Sequence, residues 1–252
     1  MNKILSIITP TFNCSKFLEQ SINSVIAQQS KDEFEYIIID GNSDDGTVDI
    51  IKKYESEIDY WISEPDRGQA SALNKAIKIS SGKYILWLNG DDYLCDGIVP
   101  CIIDSLKKLN EYETIYGDII SIDQFGNRYL TTYEPDRLNF EYLLNINSSI
   151  LTNSTVYPKS IFYDTGFFLE SLHYAFDYEL YLRLVKNYRL IHLEKPVVTF
   201  RLHENSKTAK YPYKFDLEVL KISRSYGGRF FSANTSYRIY RLLSYLRKSI
   251  LG

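Results

Sequence analysis

Across the first hundred residues, short unbroken apolar runs alternate with stretches whose apolar residues recur at helical spacing. Residues 4–9 form one such run, ending at Pro10-Thr11, the pattern of a buried strand. Phe17, Ile22, Val25 and Ile26 then follow near the helical period. A second run, 36–39, closes on the turn-rich Asp-Gly-Asn-Ser-Asp-Asp-Gly of 40–46. Residues 47–54 read as a helix, 59–63 as a short strand and 69–80 as a helix ended by Gly82. Residues 84–88 read as a strand running into Asn89-Gly90-Asp91-Asp92. This alternation predicts an α/β fold, a mostly parallel sheet with helices on both faces. Such sheets bind ligands beyond the carboxyl ends of their strands. In this chain those ends carry Thr11, Asp40, 63–66 and 89–92.

The pattern changes after Pro100. Residues 114–121 and 128–132 predict two antiparallel strands around the 124–127 turn, and 175–187 a helix. Residues 190–202 predict two short strands interrupted at Pro196. Beyond Glu218 there is no acidic residue, whereas Lys221, Arg224, Arg229, Arg238, Arg241, Arg247 and Lys248 all lie there. Ile239, Leu242, Leu243, Leu246 and Ile250 form a helical apolar stripe among those cations. A basic amphipathic helix of this kind suits peripheral contact with an anionic membrane surface; a surface helix packed on its own domain is the other reading.

Composition narrows the classes. A chain of 252 residues with 44% hydrophobic residues is long enough for a sizeable core. A net charge of −3 provides no field for nucleic acid, so no nucleic-acid partner is expected. No apolar run approaches the roughly 18 residues of a membrane span. The 4–8 run is cut by Pro10 and reads as a strand rather than a signal sequence. Cys14, Cys95 and Cys101 follow no metal-binding spacing, which suits reduced thiols in the cytoplasm. The sequons at Asn13, Asn147, Asn153 and Asn234 are then chance matches. The 22 tyrosines suit carbohydrate faces or membrane interfaces, or reflect codon bias.

The chemistry-bearing segments are Ile7-Ile8-Thr9-Pro10-Thr11-Phe12-Asn13, the 40–47 loop, Glu64-Pro65-Asp66-Arg67-Gly68-Gln69-Ala70 and Ala72-Leu73-Asn74. They continue with 82–92, ending Asn89-Gly90-Asp91-Asp92. Asn89 to Asp92 supply the hard oxygen ligands that Mg²⁺ or Mn²⁺ prefers. In order and spacing these segments resemble the family 2 glycosyltransferases with the GT-A fold, over roughly residues 3–205. The resemblance implies a Rossmann-like nucleotide-sugar-binding half at 1–100. An acceptor-binding and catalytic-base half at 101–215, with smaller mixed antiparallel structure, would follow, then the basic helical tail at 216–252.

The resemblance also implies roles. Pro10 and Thr11 would contact the nucleotide, and Asp40 would accept the imide hydrogen of its base. Asp66 and Arg67 would flank base and diphosphate, and Asn89 and Gly90 would line the donor. Asn89 and Asp91 occupy the first and last places of the family's Asp-x-Asp motif. Asp91 would bind the metal, and Asp92 would either add charge or cap the turn. Asn89 stands where Asp is usual; an amide still reaches ribose hydroxyls. Residues 175–184 resemble the helix whose early acid deprotonates the acceptor, which falls on Asp177, with Glu179 the alternative. Phe200-Arg201-Leu202-His203-Glu204-Asn205-Ser206 resembles the closing motif whose histidine completes the metal site, and imidazole favours Mn²⁺ over Mg²⁺. His173 and His192 read as structural or surface residues. Residues 204–213, with Lys207 and Lys210, form a lid or an ordinary loop.

The implied activity is an inverting transfer of sugar from a nucleotide-diphosphate donor, UDP being the commonest. The acceptor would be a glycan or lipid-linked saccharide in bacterial O-antigen or capsule synthesis. The alternative is an inactive scaffold that keeps the fold. A nucleotidyltransferase or dinucleotide enzyme would need a Gly-rich phosphate loop, and residues 9–15 contain no glycine.

Overall fold

The computed structural model describes residues 3–150, 152–204 and 206–251, the side chains of Thr208 and 248–251 excepted. Asn205 of the closing motif and the side chains of Lys248 and Ile250 lie outside the described residues. In the first half the chain runs β1 (Leu5–Thr11), α1 (Ser15–Ile26), β2 (Phe34–Asp40), α2 (Thr47–Lys53), β3 (Tyr60–Ser63), α3 (Gln69–Ile79), β4 (Tyr84–Trp87), β5 (Tyr93–Leu94) and α4 (Ile98–Leu106). It continues β6 (Glu113–Ile122), β7 (Arg128–Thr131), α5 (Phe140–Asn145), β8 (Val156–Pro158), α6 (Ser160–Thr165), α7 (Phe176–Asn187) and β9 (Arg189–Arg201). Three helices close it, α8 (Lys207–Lys210), α9 (Pro212–Ser225) and α10 (Ala233–Leu251).

The main sheet has the order β3-β2-β1-β4-β8. β1 to β4 run parallel, and β8, from the second half of the chain, pairs antiparallel with β4. Alternate residues of one strand feed cores on opposite faces: Ile37 and Ile39 with α3 and α7, Tyr36 and Ile38 with α1, α2 and α4. Two-sided burial is why these strands read as continuous apolar runs rather than as alternation.

A second sheet, β5-β9-β6-β7, mixes directions: β6 and β7 are antiparallel, β6 and β9 parallel. The two short strands expected at 190–202 are one strand, β9. Pro196 has no N–H to give, and the ladder absorbs it at a bulge where Gly117, Asp118 and Ile119 pair with Leu193, Pro196 and Val198. A Cβ on Gly117 would sit 2.5 Å from Val197 Cγ2, so the bulge also needs that glycine.

The tail is part of this body. Asp216, fully buried on α9, pairs with buried Arg238 and lies 3.2 Å from Arg241 Nε. Asn234 reaches the carbonyls of Leu143 and Leu144 at the end of α5. Two of the cations expected to flank an apolar stripe are therefore turned inward by a carboxylate on the preceding helix. The outward side of α10 keeps Tyr240, Leu243 and Leu246 exposed. Among the described residues, no helix is long and apolar enough to cross a membrane.

Candidate functional site

Strand ends β1, β2, β3 and β4 bring their polar termini to one edge of the main sheet. Asn13 and Asn42 adopt left-handed backbone there, which asparagine tolerates better than most residues. The first two loops are stitched together: Asn13 N donates to Ser43 Oγ, Cys14 N to Thr47 Oγ1 and Ser15 N to Asp45 Oδ2. Asp40 has no exposed surface. Its carboxylate accepts from Ser43 N at 2.9 Å, Ser43 Oγ at 2.5 Å and Ser63 Oγ at 2.6 Å. Asp40 thus holds the loop closed, with its carboxylate engaged by donors from the protein itself.

Pro10 and Thr11 lie buried at the end of β1. Thr11 Oγ1 lies beside the Cys14 thiol and has no other partner among the described residues. A Cβ on Gly90 would come within 2.9 Å of that hydroxyl, so glycine lets the β4 turn close on β1. Asp66 accepts from Gly68 N at 2.6 Å and lies near Gly41, as does the Phe12 ring. Phe12 is 65% exposed, a flat apolar face next to two carboxylate-bearing loops. Nothing in the sequence of its segment marks Phe12; its exposure in the fold singles it out. Arg67 points into solvent, with Glu170 4.0 Å away.

Asp91 and His203, 112 residues apart, meet: His203 Nε2 lies 3.0 Å from Asp91 Oδ2. His203 packs on Phe17 and is placed by β9, whose last residue, Arg201, stacks on Phe17 and Tyr93 and donates to Gln20. The imidazole's Nδ1 is buried and has no partner among the described residues. A carboxylate and an imidazole are donors that a divalent cation accepts, manganese better matched than magnesium. Here the two bond to each other, and no group of three or more histidine, cysteine or acidic side chains placed to hold a metal ion occurs among the described residues. Asp92 is not part of that pair. It is fully buried and accepts from Arg201 N at 3.0 Å, Asn89 Nδ2 at 3.0 Å and Asn153 Nδ2 at 2.7 Å. Burial, reinforced by Asp91, raises its pKa well above the usual carboxylate range. Asn89 is occupied on both sides, accepting from Gln69 Nε2 at 2.8 Å while it donates to Asp92.

Asp177 stands in the first turn of α7, half-buried, with Oδ1 accepting from Tyr178 N at 2.8 Å and Oδ2 from Thr152 Oγ1 at 3.3 Å. Burial raises its pKa to about 6, against those hydrogen bonds and Lys207, which lower it. A carboxyl tuned toward neutrality and still reachable has the profile of a general base. Glu179 does not share it. That residue is buried, forks onto Arg183 at 2.7 Å and 3.1 Å and accepts from Tyr226 OH at 2.5 Å, a structural ion pair. The loop before α7 is pinned by Glu218, which takes the backbone N–H groups of His173, Tyr174 and Ala175. No local sequence signal marks Glu218, Thr152 or Asn153, because each acts across the fold.

Beyond His203, Ser206 caps α8 by accepting from Ala209 N. Lys207 on that helix lies over Tyr174 and Phe176. The surrounding protein lowers its pKa, opposed by Glu218, Asp177 and Asp66. It therefore lies in electrostatic reach of both the Asp66 loop and Asp177. A cleft of about 410 Å³ opens beside His203, lined by Asp123, Phe125, Leu202, Glu204 and Ser206 among others.

The profile of the family described as "Glycosyl transferase family 2" matches residues 6–171. The chain belongs to glycosyl transferase family 2. Among relatives of this family, an "Uncharacterized glycosyltransferase" of Rickettsia conorii is 30% identical over 217 residues, covering 82% of this chain and 35% of its own. The "Chondroitin synthase" of Escherichia coli is 28% identical over 217 residues, covering 85% of this chain and 31% of its own. The chain thus spans about a third of the length of these two relatives. Solved structures show the same GT-A fold. TarS 1-349 of S. aureus in complex with UDP superposes with a TM-score of 0.66 at 21% identity, over 96% of this chain and 70% of that one. The mannosyltransferase PcManGT of Pyrobaculum calidifontis, in complex with GDP-Man and Mn²⁺, gives 0.63 at 16% identity, over 88% and 65%. The mostly parallel sheet with helices on both faces is the family 2 architecture expected from the sequence.

Proposed function

We propose that this family 2 member transfers a sugar from a nucleotide-diphosphate donor, a UDP-sugar, to a hydroxyl of a glycan or lipid-linked saccharide. The anomeric configuration is inverted, and the product belongs to a bacterial surface polysaccharide of the O-antigen or capsule type. The observation that carries this reading is the meeting of Asp91 with His203 at 3.0 Å, joined through Asp92, Asn153 and Thr152 to the raised-pKa carboxyl of Asp177.

On this reading the donor lies along the β1–β4 edge. Phe12 offers its face to the base, with Asp40, Asp66 and Gly41 around it, while Pro10, Thr11, Asn89 and Gly90 shape the floor. Arg67 and Lys207 offset the negative charge of the diphosphate. Asp91 and His203 would hold Mn²⁺ or Mg²⁺, which when bound stabilises the charge on the departing diphosphate. Asp177 takes the proton from the acceptor hydroxyl as that oxygen attacks the anomeric carbon from the side opposite the leaving group. A single displacement inverts that carbon. In favour of UDP and of a divalent cation stand the UDP complex of TarS and the Mn²⁺ complex of PcManGT.

The test is donor cleavage across UDP-, GDP- and dTDP-sugars with Mn²⁺, with and without chelator. Metal-dependent cleavage of one donor, lost in Asp91→Ala, is the expected result; failure of every donor to bind would favour the inactive scaffold instead.

The chain works in the cytoplasm, against the inner face of the membrane. What supports this is the outward side of α10 and the turn before it. Phe230, Phe231, Tyr240, Leu243 and Leu246 are exposed there beside Arg229 and Arg247, with no acidic residue after Glu218. Aromatic and basic side chains together suit an anionic lipid surface. Co-sedimentation with phosphatidylglycerol vesicles, lost in Leu243→Ser/Leu246→Ser and at high salt, is expected; equal binding to neutral vesicles would overturn it.

A further inference from the structure

The buried turn Thr152–Ser154 lies between the two chemical halves of the site. Ser154 Oγ donates to the Gly117 carbonyl on β6 at 2.7 Å, and Tyr157 OH to the Thr152 carbonyl at 3.4 Å, so the turn is anchored from both sides. Thr152 donates its hydroxyl to Asp177. The next residue, Asn153, donates its amide to Asp92. Asp92 adjoins Asp91 in sequence and holds the backbone of Arg201, two residues before His203. Two adjacent side chains thus connect the carboxyl on α7 with the carboxylate to which both arms of the Asp91–His203 pair are fastened.

We propose that the Thr152–Asn153 turn is a positioning element for glycosyl transfer: Thr152 orients the Asp177 carboxylate, and Asn153 sets the turn's place relative to the Asp91–His203 pair. This rests on Asp177 being the base. Buried asparagines and threonines often do no more than satisfy neighbours, and such a role would alter stability alone. Here the hydrogen bond from Thr152 stabilises the ionised form of Asp177. The other groups facing that carboxyl are its own backbone N–H and Tyr178 N on the same helix, Lys207 on α8 and the Tyr157 phenol on β8. None of these changes when the threonine hydroxyl is removed.

The experiment needs no substrate. The full chain, labelled with ¹³C at its aspartate carboxyls, is titrated by NMR, with Asp177 assigned from its loss in Asp177→Asn. Thr152→Val, nearly isosteric, should raise the Asp177 midpoint by roughly 0.5–1 unit, and Thr152→Ser should restore it. Asn153→Ala touches Asp177 nowhere, yet should move the midpoint the same way, and the double variant should move it no further than Thr152→Val alone. An unmoved midpoint in folded Thr152→Val overturns the proposal even if Asp177→Asn abolishes transfer. An unmoved midpoint in folded Asn153→Ala overturns the role of Asn153. Normal transfer by Asp177→Asn would defeat the base assignment itself, and with it any need to position that residue.

Discussion

Asn89 donates its side-chain amide to the Asp92 carboxylate across 3.0 Å, and Asp92 has no exposed surface. A second carboxylate at position 89 would have no hydrogen to offer there. The asparagine that departs from the family's usual Asp-x-Asp pattern is therefore the residue this buried carboxylate requires. Asn89→Asp, though it moves the sequence toward the family pattern, should lower stability by about 1.5–3 kcal/mol, because a hydrogen bond to a charged group is replaced by two carboxyls facing each other, measured by urea unfolding at pH 7. An unchanged midpoint would mean that Asp92 does not depend on Asn89.

The raised pKa of Asp177 makes two predictions of opposite sense. With Asp177 as the proposed base, transfer requires its ionised carboxyl, so the rate should fall as pH drops through about 6. Asp177→Asn should cost roughly 10²–10⁴-fold in kcat. Stability runs the other way. Because the folded-state pKa lies above the ordinary carboxylate value, this group's stabilising contribution is complete below that value and is lost as pH rises through about 6. Asp177→Asn should therefore melt no lower than the parent at pH 7.5, with any advantage gone by about pH 4.

Glu179 separates structure from chemistry on the same helix. Glu179→Ala leaves the Arg183 guanidinium buried without its carboxylate partner, a loss of about 3–5 kcal/mol. Whatever fraction remains folded should keep the acid limb of the pH–rate profile where it was. A displaced limb would return Glu179 to candidacy as the base.

The tail divides in the same way. Asp216→Ala strands Arg238 and should destabilise the whole chain by about 3–5 kcal/mol. Tyr240→Ser/Leu243→Ser, on the outward side of α10, should change the melting temperature little, since surface substitutions stay within about 0.5 kcal/mol each. Thermal melts of the two variants side by side check both statements.

Much of this was legible in the sequence, and the reasons for the rest are physical. The runs at 4–9, 36–39 and 84–88 predicted β1, β2 and β4 because strands buried on both faces leave no polar interruption. Helix α4 was missed because Pro100 reads as a break. It sits in the first helical turn, where its missing N–H has no intrahelical partner to lose. Pro196 misled in the same way, since only the register of β6 shows the bulge that accommodates it. The acids at the strand ends could be named from the sequence. Which of them are spent on the fold could not: Asp40 is closed in by Ser43 and Ser63, Asp92 by residues 61 and 109 positions away. Arg238 and Arg241 counted as surface charge until Asp216 turned up beneath them.

The three-way clasp on Asp92 also bears on synthesis. Its donors come from residues 89, 153 and 201, so closing it spans loops far longer than those within the first βαβ units. A chain emerging amino end first exposes the loops after β1 to β4 well before β9 exists to bring His203 to Asp91. Until then Asp91 and Asp92 stand without the partners that β9 and the residues just after it supply. Among the described residues the last strand to be made is thus the one that ties this corner of the fold together.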